Sequence, residues 1–226
     1  MSGDGTNFVA CAFGMKRSGK SHSLGIMSAL FPRRIIFDFI GEFRNRVEGA
    51  RYVRSLKEAV DILQSERKRN TRWVVVCMMT PAEAVRLCSV LAPIGKEPEN
   101  SFAYACGGVA IECGEVQLIA PNNQSLPDPI ANLIAMGRHY RVSLLCAARR
   151  PREVSRMLTS QSDALLAFRQ HEPRDAEYLG EVMRSDVPTY LRQLAPFNYL
   201  RYLPNFGTLE IVDELGVGKL IPAPDK

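Results

Sequence analysis

The sequence predicts an α/β fold: a mostly parallel central sheet flanked by helices, with a short antiparallel annex near the C-terminus. Three observations lead there. Short apolar runs rich in Val, Ile and Phe alternate with longer amphipathic stretches, the pattern of strand–helix–strand units joined by right-handed crossovers. The first run passes into a loop, "GMKRSGKS" (14–21), and then into a helical stretch. The 226 residues, 46% hydrophobic and 23% charged, suffice for one large core and leave little room for a second. We therefore expect one domain over 1–226, with its core in 8–183 and the annex in 184–226.

The elements follow in order. "FVACAF" (8–13) reads as the first strand and "SHSLGIMSAL" (21–30) as a helix. "RIIFDF" (34–39) is a second buried strand, "LKEAVDILQSERKR" (56–69) an amphipathic helix, and "WVVVCMM" (73–79) the third strand. A helix follows over "PAEAVRLCSVL" (81–91), where Pro81 suits the first turn. "GKEPENSF" (95–102) is a polar loop, "GVAIE" (108–112) a strand, "LPDPIANLIAMGRH" (126–139) a helix and "VSLLCAA" (142–148) a strand. "ALLAFR" (164–169) and the helix "PRDAEYLGEVM" (173–183) complete the core. Prolines at 188, 196, 204, 222 and 224, with the alternating segments "FNYLRYL" and "GTLEIV", mark the annex. Internal repeats and low-complexity linkers are absent.

Composition narrows the function classes. A net charge of +5 suits a polyanionic partner without identifying one. The six cysteines (Cys11, Cys77, Cys88, Cys106, Cys113, Cys146) form no C-x-x-C pair and sit mostly in or beside apolar runs. That is the pattern of buried thiols in a reducing compartment, not of a disulfide framework or a zinc site. "MSGDGTNF" lacks the features of a signal peptide, and no apolar stretch approaches the roughly 20 residues that span a bilayer. A soluble, cytoplasmic chain is expected, with any membrane association made through a partner.

The opening loop fits G-x-x-x-x-G-K-[ST] with Gly14, Gly19, Lys20 and Ser21. The glycines let consecutive N–H groups turn inward toward phosphate oxygens, Lys20 reaches the terminal phosphates, and Ser21 offers a hydroxyl to Mg2+ at the positive end of a helix. Met15, Lys16, Arg17, Ser18 and His22 complete the predicted nucleotide cradle. Hydrolysis needs an acid at the end of a neighbouring strand and usually a second carboxylate that activates water. "GGVAIECGEV" supplies Glu112 as the acid of the Mg2+ shell and Glu115 as the water-activating base, or one of the two is a solvated loop carboxylate. Six arginines between 138 and 156 (Arg138, Arg141, Arg149, Arg150, Arg152, Arg156) bracket a buried strand, with one acid, Glu153, among them. They are donors to transition-state charge, contacts to a nucleic-acid backbone, or a solvated face. Arg67, Lys68 and Arg69 are further candidate DNA contacts, equally explained as a solvated helix end.

At this point the residues carry a likeness. "LIAMGRHYRVSLLCAARRPREVSRMLTSQSDALLAFRQHEPRDAEYL" (133–179) resembles the sensor region of the HerA/FtsK superfamily of DNA-pumping ATPases, and "FDFIGEF" (37–43) resembles that superfamily's D-x-x-G-E-[FY]. With the phosphate loop and acid strand, the resemblance covers residues 8 to about 183. It implies a RecA-like P-loop NTPase, ATP and Mg2+ as cofactors, and a hexameric homo-oligomeric ring around double-stranded DNA. Arg138 matches the arginine finger given to a neighbour's nucleotide, and Arg149 stands where the sensor glutamine of "ATQRP" is common. Cys113 replaces the Glu of the usual Asp-Glu pair. Cellular FtsK-like pumps carry membrane anchors and HerA-like pumps an N-terminal barrel, whereas this loop begins at residue 14. The chain is in this respect similar to genome-packaging ATPases of tailless icosahedral viruses with an internal membrane. The expected function is ATP-driven packaging of double-stranded DNA, with capsid or portal-vertex proteins as partners, in the host cytoplasm or at the virion vertex. The alternatives are a HerA-like cellular DNA-processing translocase, a filamentous-phage assembly ATPase, and a nucleotide-dependent scaffold with weak turnover.

Overall fold

β1 (Val9–Phe13) is buried along its whole length, which is why it reads as a continuous apolar run and not as an alternation. The structure, a computed structural model, describes residues 8–43, 47–67 and 71–223. After β1 come α1 (Lys20–Ala29), β2 (Arg33–Phe37), β3 (Arg51–Val53), α2 (Leu56–Glu66), β4 (Trp73–Cys77), α3 (Pro81–Leu91) and α4 (Phe102–Ala105). β5 (Val109–Cys113), α5 (Asp128–Tyr140), β6 (Val142–Ala148), α6 (Arg156–Ser160), β7 (Ala164–Phe168) and α7 (Pro173–Val182) follow. The chain ends with α8 (Val187–Gln193), β8 (Tyr199–Leu203), β9 (Thr208–Val212) and β10 (Gly218–Ile221).

The strands form one sheet in the order β10-β9-β8-β7-β1-β6-β5-β2-β4-β3. From β3 across to β7 every pairing is parallel, and β8, β9 and β10 join antiparallel at the far side. The expected annex is therefore an extension of the core sheet. Parallel strands present their C-terminal ends along one edge, so the loops after β1, β2, β5, β6 and β7 gather there. β1 lies between β6 and β7, and β5 is one strand beyond β6.

Helices cover the two faces unequally. Leu24 of α1 packs with Ala10, Ala12, Leu145, Ala147, Leu166 and Phe168 in a small cluster of its own. The buried residues of the other long helices, among them Leu63, Leu87, Leu133 and Leu179, belong to the larger cluster on the opposite face. Local signals explain the helix starts. Thr80 caps α3 through the Glu83 N–H while Glu83 returns to the Thr80 backbone, and Ser55 caps α2 through the Glu58 N–H.

The elements absent from the sequence reading are short. β3 has three residues, α4 and β10 four each, α6 five and α8 seven. None spans enough residues for a hydrophobic period to register. Because of β3, the expected third strand is the fourth. The helix expected over 56–69 ends at Glu66, and Lys68 and Arg69 lie outside the described residues, as does Pro224. The segment expected as a plain loop at 95–102 carries a helical turn at Pro98–Asn100 and the start of α4.

Candidate nucleotide site

A side chain at residue 14 would have nowhere to go. A Cβ there would stand 2.5 Å from the Cβ of Phe168 and 2.9 Å from Ser18 Oγ, so the approach of β7 to the loop requires glycine. The Gly14 N–H donates to the Ala148 carbonyl and the Met15 N–H to the Arg169 carbonyl, both at 3.4 Å, which ties the loop to the ends of β6 and β7. The chain then turns through left-handed backbone at Arg17 (φ 64°) and Gly19 (φ 106°). Glycine adopts that region freely, whereas Arg17 is strained there.

Gly19 is the N-cap of α1; no side chain caps this end, and its first turn holds no acid. Its first N–H groups are thus left for an anion, at the positive end of the helix. Inside the loop Ser18 Oγ is buried with no hydrogen-bond partner. Lys20 folds back over the loop, its Nζ donating to the Met15 carbonyl at 2.8 Å. Burial pushes the Lys20 ammonium below its ordinary 10.5; Glu115 and Glu42 oppose that shift and Arg149 adds to it. A buried hydroxyl without a partner, a desolvated cation and uncapped amides together fit a polyphosphate. Ser21 is half-buried at the second position of α1, while Met15, Lys16, Arg17 and His22 are exposed.

The two candidate acids part company. Glu112 is buried in β5 and accepts from Ser28 Oγ at 2.6 Å, with Arg34 Nη1 donating to the same hydroxyl at 3.3 Å. Ser28 lies seven residues beyond Ser21, about 10 Å along α1. The structure therefore does not bring Glu112 to Ser21, against the expected joint Mg2+ site. Its carboxylate joins α1 to the sheet instead. The alternation of side chains places Cys113 on the other face and next offers Gly114, whose missing Cβ would meet nothing within 4 Å. Glu115, on the turn after β5, is the carboxylate at the mouth: Arg149 Nη2 stands 3.6 Å from one oxygen, and Gln117 Nε2 donates to the other at 2.5 Å.

Burial raises the Glu112 carboxyl above its ordinary 4.5, and the Ser28 hydrogen bond and Arg34 only partly offset it. The folded state holds this proton more tightly than the unfolded chain. The stability it contributes is present in full below pH 4.5 and is lost as pH rises through the folded value. Glu112→Gln should flatten the fall in melting temperature as pH rises above 4.5; thermal melts at a series of pH values check this, and an unchanged slope contradicts it.

The arginines disperse. Arg149 faces Glu115; Arg150 Nε donates to the buried Asp175 at 3.2 Å and Nη1 stands 3.6 Å from Glu153. Arg141 lies over the Tyr104 ring at 4.0 Å. Arg138 is exposed in the last turn of α5, before the start of β6. Seven residues of strand, about 20 Å, separate that end from the loop edge, so Arg138 does not join its own chain's site.

The residues that sequence reasoning missed are Phe168, which fixes Gly14, and Gln170, buried, whose Nε2 donates to the Arg149 carbonyl at 3.4 Å. Glu42 had been noticed only as part of a likeness. It is carried on a loop shaped by Asp38, which accepts from the Glu42 N–H at 2.7 Å and the Phe43 N–H at 3.0 Å. The usable signal was position alone: each lies at or just beyond the C-terminal end of a parallel strand.

No protein-family model and no curated protein matches the sequence. Solved structures match over nearly the whole chain. The genome packaging NTPase B204 from Sulfolobus turreted icosahedral virus 2, in complex with ATP-gammaS, superposes with a TM-score of 0.72 at 18% identity, covering 93% of this chain and 98% of that one. The fold is that of a P-loop NTPase. The DNA-packaging ATPase B204 from Sulfolobus turreted icosahedral virus gives a TM-score of 0.68 at 17% identity, over 96% and 100% of the two chains. VirB4 of Thermoanaerobacter pseudethanolicus gives 0.63 at 12% identity, over 99% and 92%. Among the described residues no helix is long and apolar enough to cross a membrane, and no three His, Cys, Asp or Glu side chains converge as metal ligands.

Proposed function

We propose that this chain is an ATPase that drives double-stranded DNA into a preformed capsid, working as a ring with the nucleotide between subunits. The observation that carries the reading is the loop itself: the buried Lys20 and unpartnered Ser18 lie at the sheet edge where Glu115 and Arg149 also converge. A chain with the fold of two packaging NTPases supports the choice of DNA packaging over other uses of such a loop. Capsid or portal-vertex proteins would be its docking partners, in the host cytoplasm or at the virion vertex.

In this reading the loop amides, Ser18 and Lys20 hold the phosphates. Ser21 would be this chain's ligand to Mg2+, which would supply positive charge to the phosphates; such ions characteristically keep several waters and few protein ligands. Water attacks the γ-phosphorus in line with the departing bridging oxygen. Glu115 takes the proton of that water, and Arg149, 3.6 Å away, holds the carboxylate turned toward the mouth. Glu112 is assigned no part in the chemistry, because its carboxylate is committed to Ser28.

Steady-state turnover separates the two acids. Glu115→Gln should lower kcat about a hundredfold or more, the range of a lost general base. Glu112→Gln should keep turnover within about threefold, since its amide can still accept from Ser28. The reverse ranking would return the catalytic role to Glu112. Wild-type protein without ATP turnover would leave the scaffold reading in its place.

A further inference from the structure

The phosphate loop has two sides, and only one carries reaction chemistry. Toward β6 and β5 lie Arg149 and Glu115. Toward β7 and β8 a separate cavity of about 150 Å³ opens between the loop and the turn that leads into β8. The loop residues from Met15 to Ser18 line it on one side, together with Arg169, His171, Phe197 and Asn198. A larger cavity of about 320 Å³ lies between α2, α3 and the 93–102 segment, away from the loop.

Phe197 is the unusual residue. Its φ is +65°, a region that bulky side chains avoid, and 54% of it is exposed although it is aromatic. The Asn198 N–H closes the turn on the Ala195 carbonyl at 3.2 Å, which holds Phe197 in that conformation. The ring reaches the phosphate loop: a Cβ on Gly19 would stand 3.5 Å from Phe197 Cδ1. Burial does not require this placement, since the ring remains largely open to solvent. A strained backbone that presents an exposed aromatic beside a binding loop points to a ligand.

Resting on the nucleotide reading above, we infer that Phe197 is the stacking platform for the nucleobase, and that the cavity between the loop and residues 195–198 receives base and ribose. With the reacting phosphates directed to Glu115, the rest of the nucleotide must leave the loop on the opposite side, and this cavity is there. It is smaller than the roughly 300 Å³ that encloses a whole drug-sized ligand, and so matches one part of a nucleotide. An aromatic ring stacks on any base, so Phe197 supplies affinity, while Asn198 and His171 provide the polar groups that can distinguish base edges.

Two probes, Mg-ATP and inorganic tripolyphosphate, test this by calorimetric titration of the full chain. Phe197→Ala should weaken Mg-ATP about tenfold, the effect of one lost stacking contact, and leave tripolyphosphate unchanged. Phe197→Trp should bind Mg-ATP at least as tightly as wild type and show indole fluorescence quenching on addition of ATP and not of tripolyphosphate. Equal weakening of both probes in Phe197→Ala would assign the residue to loop support and overturn the inference, as would no weakening of either. Wild-type protein that binds tripolyphosphate no more weakly than ATP would also overturn it, with the phosphate site intact. Wild type that binds neither probe would overturn the nucleotide reading and this inference together.

Discussion

Lys20→Ala should abolish ATP turnover while the protein remains folded. Lys20 is the one cation the loop encloses, and its ammonium is desolvated strongly enough to lie below its ordinary pKa. A charge held in that way is preorganised for a polyanion: little water must be removed when phosphate arrives, and the weak screening there makes the attraction larger than at the surface. Removal of a single preorganised donor from a transition-state site typically costs about 10²–10³ in kcat, and loss of a full charge facing several phosphate oxygens belongs at or above the upper end. Stability should move the other way or barely at all. Without phosphate, the Lys20 ammonium has one hydrogen bond, to the Met15 carbonyl, to set against its burial. Its replacement by Ala removes a costly buried charge along with that bond. A change of about 1 kcal/mol corresponds to about 2–4 °C in a chain of this size, so the melting temperature should stay within that interval of wild type. Steady-state ATPase rates beside thermal melts check both halves. Turnover within tenfold of wild type would sink the phosphate assignment; lost turnover with a melting temperature depressed by 10 °C or more would mean that Lys20 serves the fold.

The sequence was most legible where one residue does one local job. The left-handed Gly19, the Thr80–Glu83 capping box and the apolar runs of β1 and β6 each depend on neighbours a few positions away, so pattern and structure agree almost residue for residue. Legibility failed where the partner was distant. Glu112 reads as a strand-end acid, yet its place in the site depends on how far β5 is advanced relative to α1, and that register decides between a Mg2+ ligand and a tether to Ser28. Register between elements more than 80 residues apart leaves no trace in either segment alone. The same holds for Phe168 against Gly14 and for Phe197 above Gly19, contacts made across about 150 residues or more. Arg149 illustrates the intermediate case. Its position after β6 was evident from the strand pattern, but its pairing with Glu115 required the adjacency of β5 and β6.

Arg138 carries the second large effect, and its geometry dictates the form of the test. It lies at the N-terminal edge of β6, about 20 Å from the loop of its own chain. An arginine there can complete a phosphate site only on another copy, through a head-to-tail contact in which one surface of each subunit meets a different surface of the next. Arg138→Ala should bind ATP as wild type does and lose about 10³-fold or more in turnover, the range for an arginine finger supplied in trans. By itself that result would not separate a finger from a residue that merely holds the contact together. Mixing does. The Lys20→Ala subunit keeps its arginine and the Arg138→Ala subunit keeps its loop, so each supplies what the other lacks. In randomly mixed rings of equal amounts, roughly a quarter of the interfaces should pair an intact loop with an intact arginine, and two inactive proteins should together regain measurable ATP turnover. Recovery of activity on mixing, scored against each variant alone at the same total concentration, requires a site shared between copies. Mixed complexes that form, as followed by a size tag on one variant, yet stay inactive would remove Arg138 from the site and leave the Glu115–Arg149 edge to act alone.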